Sequence, residues 1–167
     1  GYDRQPSRQV VYLGSGFYLP HAERDAAFKT LFGDATFTAR RRQKIGDDVI
    51  ERVSRILLCK YDAAHINAMR KKYARRLTTL ISTKRQGGVE YSEANMGCGE
   101  ARLYALVTRL ESVPEKSLVL IEEPEIALHP CAQFEFGKYL VDAAKRRKIQ
   151  ILLTTHSEYV LLALPQK

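Results

Sequence analysis

The chain has 167 residues, of which 45% are hydrophobic and 28% are charged, with 10 Gly and 6 Pro. This composition excludes a disordered chain, a collagen-like chain and a disulfide scaffold, and it is typical of one globular domain with a single core. The formal net charge of +8, from 27 Lys and Arg against 19 Asp and Glu, suits contact with a polyanion such as DNA.

The cysteine and hydropathy patterns indicate a cellular compartment. Cys59, Cys98 and Cys131 are widely spaced, are odd in number and form no CxxC pair. They therefore predict reduced thiols in a cytoplasmic protein rather than a disulfide framework or a zinc site. The longest apolar stretch, Tyr159 to Leu164, is far shorter than the ~20 residues that a membrane-spanning helix needs, so we expect no membrane partner.

The first predicted element is an extended run from Gln9 to Leu13, followed by a turn at Gly14-Ser15-Gly16. The turn is not a Walker A phosphate loop, because no G-x-x-x-x-G-K-[ST] spacing follows. Apolar residues at helical spacing predict a helix from His21 to Phe32. The basic run from Arg40 to Lys44 predicts a solvated surface loop in preference to a phosphate-contacting patch.

The next predicted element is a helix that Asp47 or Asp48 can cap and that ends near Lys60. Its apolar face comprises Val49, Ile50, Val53, Ile56 and Leu57. The segment from Tyr61 to Tyr73 has no clear periodicity.

A β-hairpin is predicted around Arg85-Gln86-Gly87-Gly88, between strands from Leu77 to Thr83 and from Val89 to Tyr91. Just before it lies a basic segment that indicates a solvated face in preference to a nucleic-acid backbone contact. Its residues are Lys71, Lys72, Tyr73, Arg75 and Arg76.

Small residues precede the next predicted helix. Met96-Gly97-Cys98-Gly99-Glu100 leads into an apolar face at Leu103, Leu106, Val107 and Leu110. The free N–H groups and positive dipole of such a helix start favour an anion such as phosphate.

Acidic residues then follow a short apolar run. Ser117 to Ile121 predicts a strand buried on both faces of a parallel sheet, and it ends in Glu122-Glu123-Pro124-Glu125. The carboxyl edge of such a sheet is a ligand-binding position, where one acid can face a hydrated Mg²⁺ and the next an attacking water. An acidic loop facing solvent is the alternative.

The last elements repeat this layout. Leu128-His129-Pro130 precedes a predicted helix from Cys131 to Arg147, and a second strand from Ile149 to Leu153 leads into Thr154-Thr155-His156-Ser157. A histidine at the same sheet edge as the acids can hydrogen-bond a terminal phosphate or its nucleophile.

Together these motifs resemble the C-terminal lobe of an ABC-type P-loop ATPase head, in the AAA ATPase branch that holds the SMC chromosome-maintenance proteins, RecF-like repair proteins and overcoming-lysogenization-defect nucleases. Met96 to Glu100 resembles the signature motif and Leu118 to Glu123 the Walker B strand. Pro124 to Pro130 resembles the D-loop, and Thr155-His156-Ser157 the switch histidine.

The resemblance implies a fold and an organisation. The fold class is α/β, with a parallel sheet, flanking helices and a small β-hairpin. Residues 92–167 would form the C-terminal lobe, and residues 1–91 would be a partial helical and hairpin region leading into the head. The lobe that carries Walker A would lie outside this chain, so the isolated chain would be inactive.

The resemblance also implies an activity and its residues, with ATP and Mg²⁺ as cofactors. Glu123 would polarise the attacking water, Glu122 would hold the Mg²⁺ shell, and His156 would sense the γ-phosphate. Met96, Gly97, Cys98, Gly99 and Glu100 would bind the nucleotide of a second head, in a homodimer or a larger oligomer. DNA and an effector nuclease are the further implied partners, in DNA maintenance or anti-phage defence.

Two positions depart from the common family pattern and leave an alternative open. Glu122 stands where Asp is commonest, and Gly97 replaces the signature serine and its hydroxyl. These departures favour the alternative of a nucleotide-gated scaffold that assembles with partners and hydrolyses little ATP. A DNA-binding module that depends on the basic runs is a third interpretation. Cys98 at a helix start suits either redox sensing or, preferably, close packing beside a phosphate.

Overall fold

The computed structural model describes residues 8–14, 41–70 and 77–165. The described elements are seven strands and four α-helices, with one short 3-10 turn at Glu93–Asn95. In chain order they are β1 (Val10–Leu13), β2 (Arg41–Lys44), α1 (Asp47–Ile56), β3 (Tyr61–Arg70), β4 (Leu77–Arg85), β5 (Glu90–Ser92), α2 (Cys98–Ser112), β6 (Leu118–Glu122), α3 (Pro130–Arg146), β7 (Gln150–Thr154) and α4 (Glu158–Ala163).

The described residues fall into two compact units. Residues 8–14 and 109–165 belong to the first unit, and residues 41–70 and 77–108 belong to the second. The division between residues 91 and 92 that the motifs suggest stays a prediction.

A three-stranded parallel sheet organises the first unit, in the order β1-β6-β7. Val11 lies opposite Val119, which in turn lies opposite Ile151. The face that carries Val11 and Val119 is buried, whereas Val10 and Tyr12 on β1 are more than half exposed. We predicted that β6 is buried on both faces; instead its residues alternate between buried and half-buried, because only one face of the sheet is fully packed.

Two helices pack against each other in this unit. α3 begins with Pro130 at its first position and buries Phe136, Leu140 and Ala143. The backbone of α4 approaches Gly137 so closely that a Cβ there would lie 2.6 Å from the Cβ of Ala163. The predicted helix from Cys131 to Arg147 and the predicted strand from Ile149 to Leu153 are thus observed within one residue of their expected ends.

The second unit contains a four-stranded antiparallel sheet in the order β2-β3-β4-β5. The predicted hairpin is observed, with Gly87 in the left-handed region at φ 69° and Gly88 N–H donating to the Arg85 carbonyl. The ambiguous segment after Tyr61 forms β3. The predicted loop at Arg41 to Lys44 is a strand instead, because its backbone pairs with β3 while all four side chains remain exposed.

The predicted helix after Asp47 is also observed. α1 buries Val49, Ile50, Val53 and Ile56, which form the expected apolar face. The helix stops at Ile56, earlier than predicted, because Leu58 adopts a left-handed φ of 53° that cannot continue an α-helix.

The predicted helix from His21 to Phe32 and the basic residues 71–76 lie outside the described residues.

Within the described ranges, no helix has the length and apolar character required to cross a membrane. The three cysteines all lie within those ranges and are not joined in disulfides.

Candidate functional site

The ends of β6 and β7 bring the predicted acids and the predicted switch histidine to one edge of the parallel sheet. Glu122 is the register partner of Thr154, and the Glu123 N–H extends the ladder by donating to the Thr154 carbonyl at 3.0 Å. Two residues after the end of β7, His156 places its Nε2 3.3 Å from Glu123 Oε1. Glu123 and His156, which are 33 positions apart in the sequence numbering, are therefore neighbours.

The backbone at Glu123 is unusual. Its φ of 43° lies in the left-handed region, which a residue with a side chain adopts at a cost of about 1 kcal/mol or more. Such a residue breaks the strand direction and turns the chain away from the sheet. Glu122 is the last residue of β6, and the chain leaves the strand at Glu123.

Glu125 is a buried carboxylate that ties the predicted D-loop to the switch turn. Glu125 is only 7% exposed, and its Oε1 accepts a hydrogen bond from the His156 N–H at 2.6 Å. The Thr155 hydroxyl is a further donor. Burial acts to raise the pKa of Glu125, but these hydrogen bonds and its own backbone N–H outweigh burial and hold that pKa below its ordinary value.

The neighbouring Glu123 shifts in the opposite direction. Loss of water contact raises the pKa of Glu123, and the Glu125 carboxylate raises it further, while His156 opposes the change. Neighbouring carboxyl groups oppose each other's ionisation, which is why the pKa values of Glu123 and Glu125 move apart.

Tyr12 on β1 supplies the partner of Glu122. Its hydroxyl donates to the Glu122 carboxylate, and this bond is the main reason that the pKa of Tyr12 rises. The tyrosine ring also lies over Gly14, where a Cβ would come within 2.8 Å of the hydroxyl oxygen. Glycine at this position therefore leaves room for the Tyr12 side chain.

Gln133 on α3 joins the D-loop, the switch turn and α4. Its Nε2 donates to the Leu128 carbonyl at 2.8 Å, and its Oε1 accepts from the Ser157 hydroxyl at 2.5 Å. The same Ser157 oxygen accepts from the Val160 N–H and so caps α4. His129 caps α3 in a similar manner through the Cys131 N–H.

The residues of the predicted signature motif lie at the start of α2, in the second compact unit. Gly97 is exposed, its carbonyl accepts the first helical hydrogen bond from the Ala101 N–H, and a Cβ on it would meet no atom within 4 Å. Cys98 is the first residue of the helix, while Met96 and Gly99 are buried. Glu100 is buried as well, and its carboxylate accepts hydrogen bonds from Tyr61 and Tyr91.

Sequence reasoning located the acids, the histidine and the signature turn, but it assigned no role to Tyr12 or Gln133 and did not foresee the bond between Glu125 and the switch backbone. Tyr12 carried one available signal, a polar-tipped aromatic near the end of a predicted strand. Gln133 had none, because its importance depends on the Glu125 and Leu128 carbonyls and the Ser157 hydroxyl, which tertiary structure brings to it.

The carboxylates at the end of β6 fit a magnesium ion. Mg²⁺ prefers oxygen ligands, keeps several waters and commonly takes only one or two protein carboxylates. The described residues contain no group of three or more His, Cys, Asp or Glu side chains arranged as metal ligands. Glu125 Oε2 is buried and has no hydrogen-bond partner among the described residues. A buried oxygen without a partner calls for an explanation, and a water or an ion is one.

Comparison with known proteins gives one curated relative and a set of solved structures. The chain is 40% identical over 72 residues to protein ea59 of Escherichia phage lambda, a match that spans 42% of this chain and 14% of that protein. The SMC head domain from Thermotoga maritima is similar with a TM-score of 0.50 at 15% identity, over 91% of this chain and 46% of that one. The Smc head domain of Pyrococcus furiosus gives a TM-score of 0.44 at 15% identity, over 69% of this chain and 28% of that one.

The predicted fold class is confirmed, since the mixed α/β architecture with a parallel sheet and a small antiparallel sheet is that of the SMC ATPase head. The chain spans less than a fifth of its curated relative. Residues 2–163 match the family described as "AAA domain, putative AbiEii toxin, Type IV TA system". The chain therefore belongs to this family of AAA domains, and the predicted relationship to ABC-type P-loop ATPase heads is confirmed.

Proposed function

We propose that the protein containing this chain hydrolyses ATP between two ABC-type heads, and that this chain supplies the Walker B, D-loop and switch residues of one site and the signature motif of the other. The observation that carries the proposal is the approach of His156 Nε2 to Glu123 Oε1 at 3.3 Å, at the carboxyl ends of two parallel strands. Ligands of open parallel sheets bind at this edge.

Each residue has a distinct role in this proposal. Glu123 accepts the proton of the attacking water, and His156 hydrogen-bonds the terminal phosphate and lowers the pKa of Glu123. Glu122, oriented by the Tyr12 hydroxyl, holds the Mg²⁺ shell through water. Bound Mg²⁺ would supply neutralisation of the charge on the phosphates.

The start of α2 serves the facing subunit. Exposed Gly97 and the first N–H groups of the helix offer positive partial charge to a phosphate, as helix N-termini do. In the proposed assembly the signature turn at the start of α2 contacts the nucleotide held by a second head, and a Walker A loop outside this chain holds the other side of each nucleotide. ATP would then join two heads, and hydrolysis would release them.

The cellular role in the proposal is DNA maintenance or anti-phage defence, with control of an effector nuclease. The family description, which refers to a toxin of a type IV toxin–antitoxin system, and the match to a phage lambda protein support a role in conflict between phage and host. The chain's net charge of +8 suits contact with DNA.

The experiment compares the full-length protein with its Glu123→Gln variant. Loss of the base lowers turnover by roughly 10²–10⁴-fold, while ATP-dependent association of two heads persists. Glu115→Gln is the matched control, because Glu115 is an exposed surface carboxylate that pairs with Lys148 at 3.4 Å. Steady-state phosphate release gives turnover, and sizing chromatography with ATP gives association. Unchanged turnover in Glu123→Gln contradicts the proposal.

A nucleotide-gated scaffold is the second candidate. Gly97 presents no hydroxyl to a nucleotide although a side chain would fit there, which supports a site that binds ATP and turns it over slowly. ATP-dependent association without phosphate release from the wild-type protein is the result that favours this candidate.

A further inference from the structure

The Glu100 carboxylate is buried and has three donors from the antiparallel sheet. The residue is 7% exposed, and removing an unpaired carboxylate from water is costly. Oε1 accepts from the Tyr61 hydroxyl at 2.7 Å and from the Tyr91 hydroxyl at 2.5 Å, and Oε2 accepts from Arg85 Nη2 at 3.2 Å. The charge is therefore satisfied within the second compact unit.

The three donors come from three consecutive strands. Tyr61 begins β3 and is the register partner of Arg85, which ends β4, while Tyr91 lies on β5. The Arg85 guanidinium carbon lies 6.0 Å from the centre of the Tyr61 ring and 5.7 Å from that of Tyr91, at cation–π distance. The cationic and aromatic groups thus form one cluster around the carboxylate.

The protonation behaviour of the tyrosines agrees with this geometry. Burial first, and the hydrogen bond to the Glu100 carboxylate second, raise the pKa of Tyr91 to about 12. Burial followed by the hydrogen bond to Glu100 raises the pKa of Tyr61 as well. Both hydroxyls therefore remain protonated donors at neutral pH.

A second contact continues the same attachment one turn along α2. The Tyr61 ring packs edge-on against Tyr104, with centroids 5.6 Å apart, and the Tyr104 hydroxyl lies 2.9 Å from the Thr83 hydroxyl. Glu100 and Tyr104 are four residues apart and so lie on one face of the helix. This face binds the sheet, and the exposed Gly97 at the helix start is left open.

We propose that Tyr61, Arg85 and Tyr91 are positioning residues that hold the signature turn in place through Glu100, and that Glu100 acts as their anchor and makes no contact with nucleotide. The inference rests on the proposed function and refines it. The groups left to face a nucleotide are the backbone N–H groups at the start of α2. The antiparallel sheet would then set the direction in which they point.

The test uses the full-length protein with Tyr61→Phe and Tyr91→Phe combined, which removes two hydroxyl donors and keeps both rings. Hydrogen bonds to charged groups are strong enough that we expect a loss of turnover of at least about tenfold. Glu100→Ala should give a similar loss, and Glu100→Gln, whose amide oxygen still accepts, should retain more turnover than Glu100→Ala. Tyr139→Phe is the matched control, since Tyr139 donates a comparable bond to Glu111 in the other unit.

Mixing two variant proteins distinguishes a positioning role of the tyrosines from a general loss of folding. In the proposed assembly the signature of one head serves the nucleotide of the other, so a mixture of the Tyr61→Phe/Tyr91→Phe protein with Glu123→Gln protein contains one intact composite site. We expect that mixture to regain turnover that neither variant shows alone.

Three results overturn the inference. The first is wild-type turnover in the double tyrosine variant, and the second is a loss confined to Glu100→Ala, which assigns Glu100 to nucleotide contact. The third is a loss in the double variant that mixing does not restore, because the cluster then only supports folding of its own head.

Failure of the proposed function gives a different pattern. If the wild-type protein binds ATP without releasing phosphate, the proposed hydrolysis is contradicted. The role of the Glu100 cluster is then tested by ATP-dependent association of two heads. The double tyrosine variant should lose this association, and Tyr139→Phe should keep it. A wild-type protein that neither hydrolyses ATP nor associates with it overturns both.

Discussion

Gly137 is a position of close contact between α3 and α4, and Gly137→Ala tests that packing. A new Cβ would lie 2.6 Å from the Ala163 Cβ and 3.0 Å from the Val160 carbonyl oxygen. Because carbon atoms in contact are normally about 3.5–4.0 Å apart, the two helices would have to separate by about 1 Å. The packing matters for the site, since α3 follows the predicted D-loop and α4 follows the switch turn.

The expected energy combines two opposing effects. Overpacking a tight contact costs about 1–3 kcal/mol, whereas alanine is better than glycine inside a helix by about 1 kcal/mol. We therefore expect Gly137→Ala to lower the free energy of unfolding by about 1 kcal/mol, which corresponds to a fall in melting temperature of about 2–4 °C for a chain of this size.

Urea unfolding followed by circular dichroism measures the change, with two further variants for comparison. Ala163→Gly combined with Gly137→Ala removes the closer of the two contacts, so the double variant should recover roughly 1 kcal/mol relative to the sum of the single effects. Gly97→Ser places a side chain in open space at a helix start and should change stability by only a few tenths of a kcal/mol. A Gly137→Ala protein more stable than wild type would refute the close approach of α4.

Three further predictions concern stability. Phe136 is fully buried, so Phe136→Ala should lower the free energy of unfolding by about 3–5 kcal/mol in denaturant titration, and a change within error would contradict its place in the core. Tyr139→Phe removes one hydrogen bond to Glu111 but leaves both bonds from Arg146, so we expect a loss of only about 0.5–1.5 kcal/mol by the same method. The Ser82 hydroxyl first, and Arg42 next, hold the pKa of Glu90 below its ordinary value. Glu90 therefore stabilises the fold above its unfolded-state pKa, and this contribution disappears as the pH falls through the lower folded-state pKa. The difference between wild type and Glu90→Gln should accordingly shrink on acidification in urea titrations at several pH values, and a constant difference would argue against the Ser82 and Arg42 contacts.

The elements that local pattern predicted are those whose signal lies within a few consecutive residues. The apolar run at β6, the 3.6-residue spacing of α2 and α3, and the two glycines of the hairpin each specify local geometry without distant partners. β2 has no such signal, because Arg41 to Lys44 are all polar and exposed and the strand exists only through pairing with β3. β3 likewise acquires its regularity from strands on both sides.

The same distinction applies to the candidate site. Glu122, Glu123 and His156 follow predicted strands, and parallel strands align their carboxyl ends, so sequence order alone brought them to one edge. The bond from the His156 N–H to Glu125 and the contacts of Tyr61 and Tyr91 with Glu100 depend on tertiary register between segments at least nine residues apart. Hydrophobic periodicity carries no information about such side-chain pairs.

The sequence places three glutamates within four positions, and the structure makes them chemically distinct. Glu122 accepts from Tyr12, Glu125 is buried with donors that lower its pKa, and Glu123 lies beside that charge with its pKa raised. Environments that move neighbouring pKa values apart are how one site holds both an acid and a base. A general base must be ionised to accept a proton, and His156 is the described residue that lowers the pKa of Glu123. In the proposed reaction the position of His156, fixed by the bond of its N–H to Glu125, therefore helps to determine whether Glu123 can act as the base.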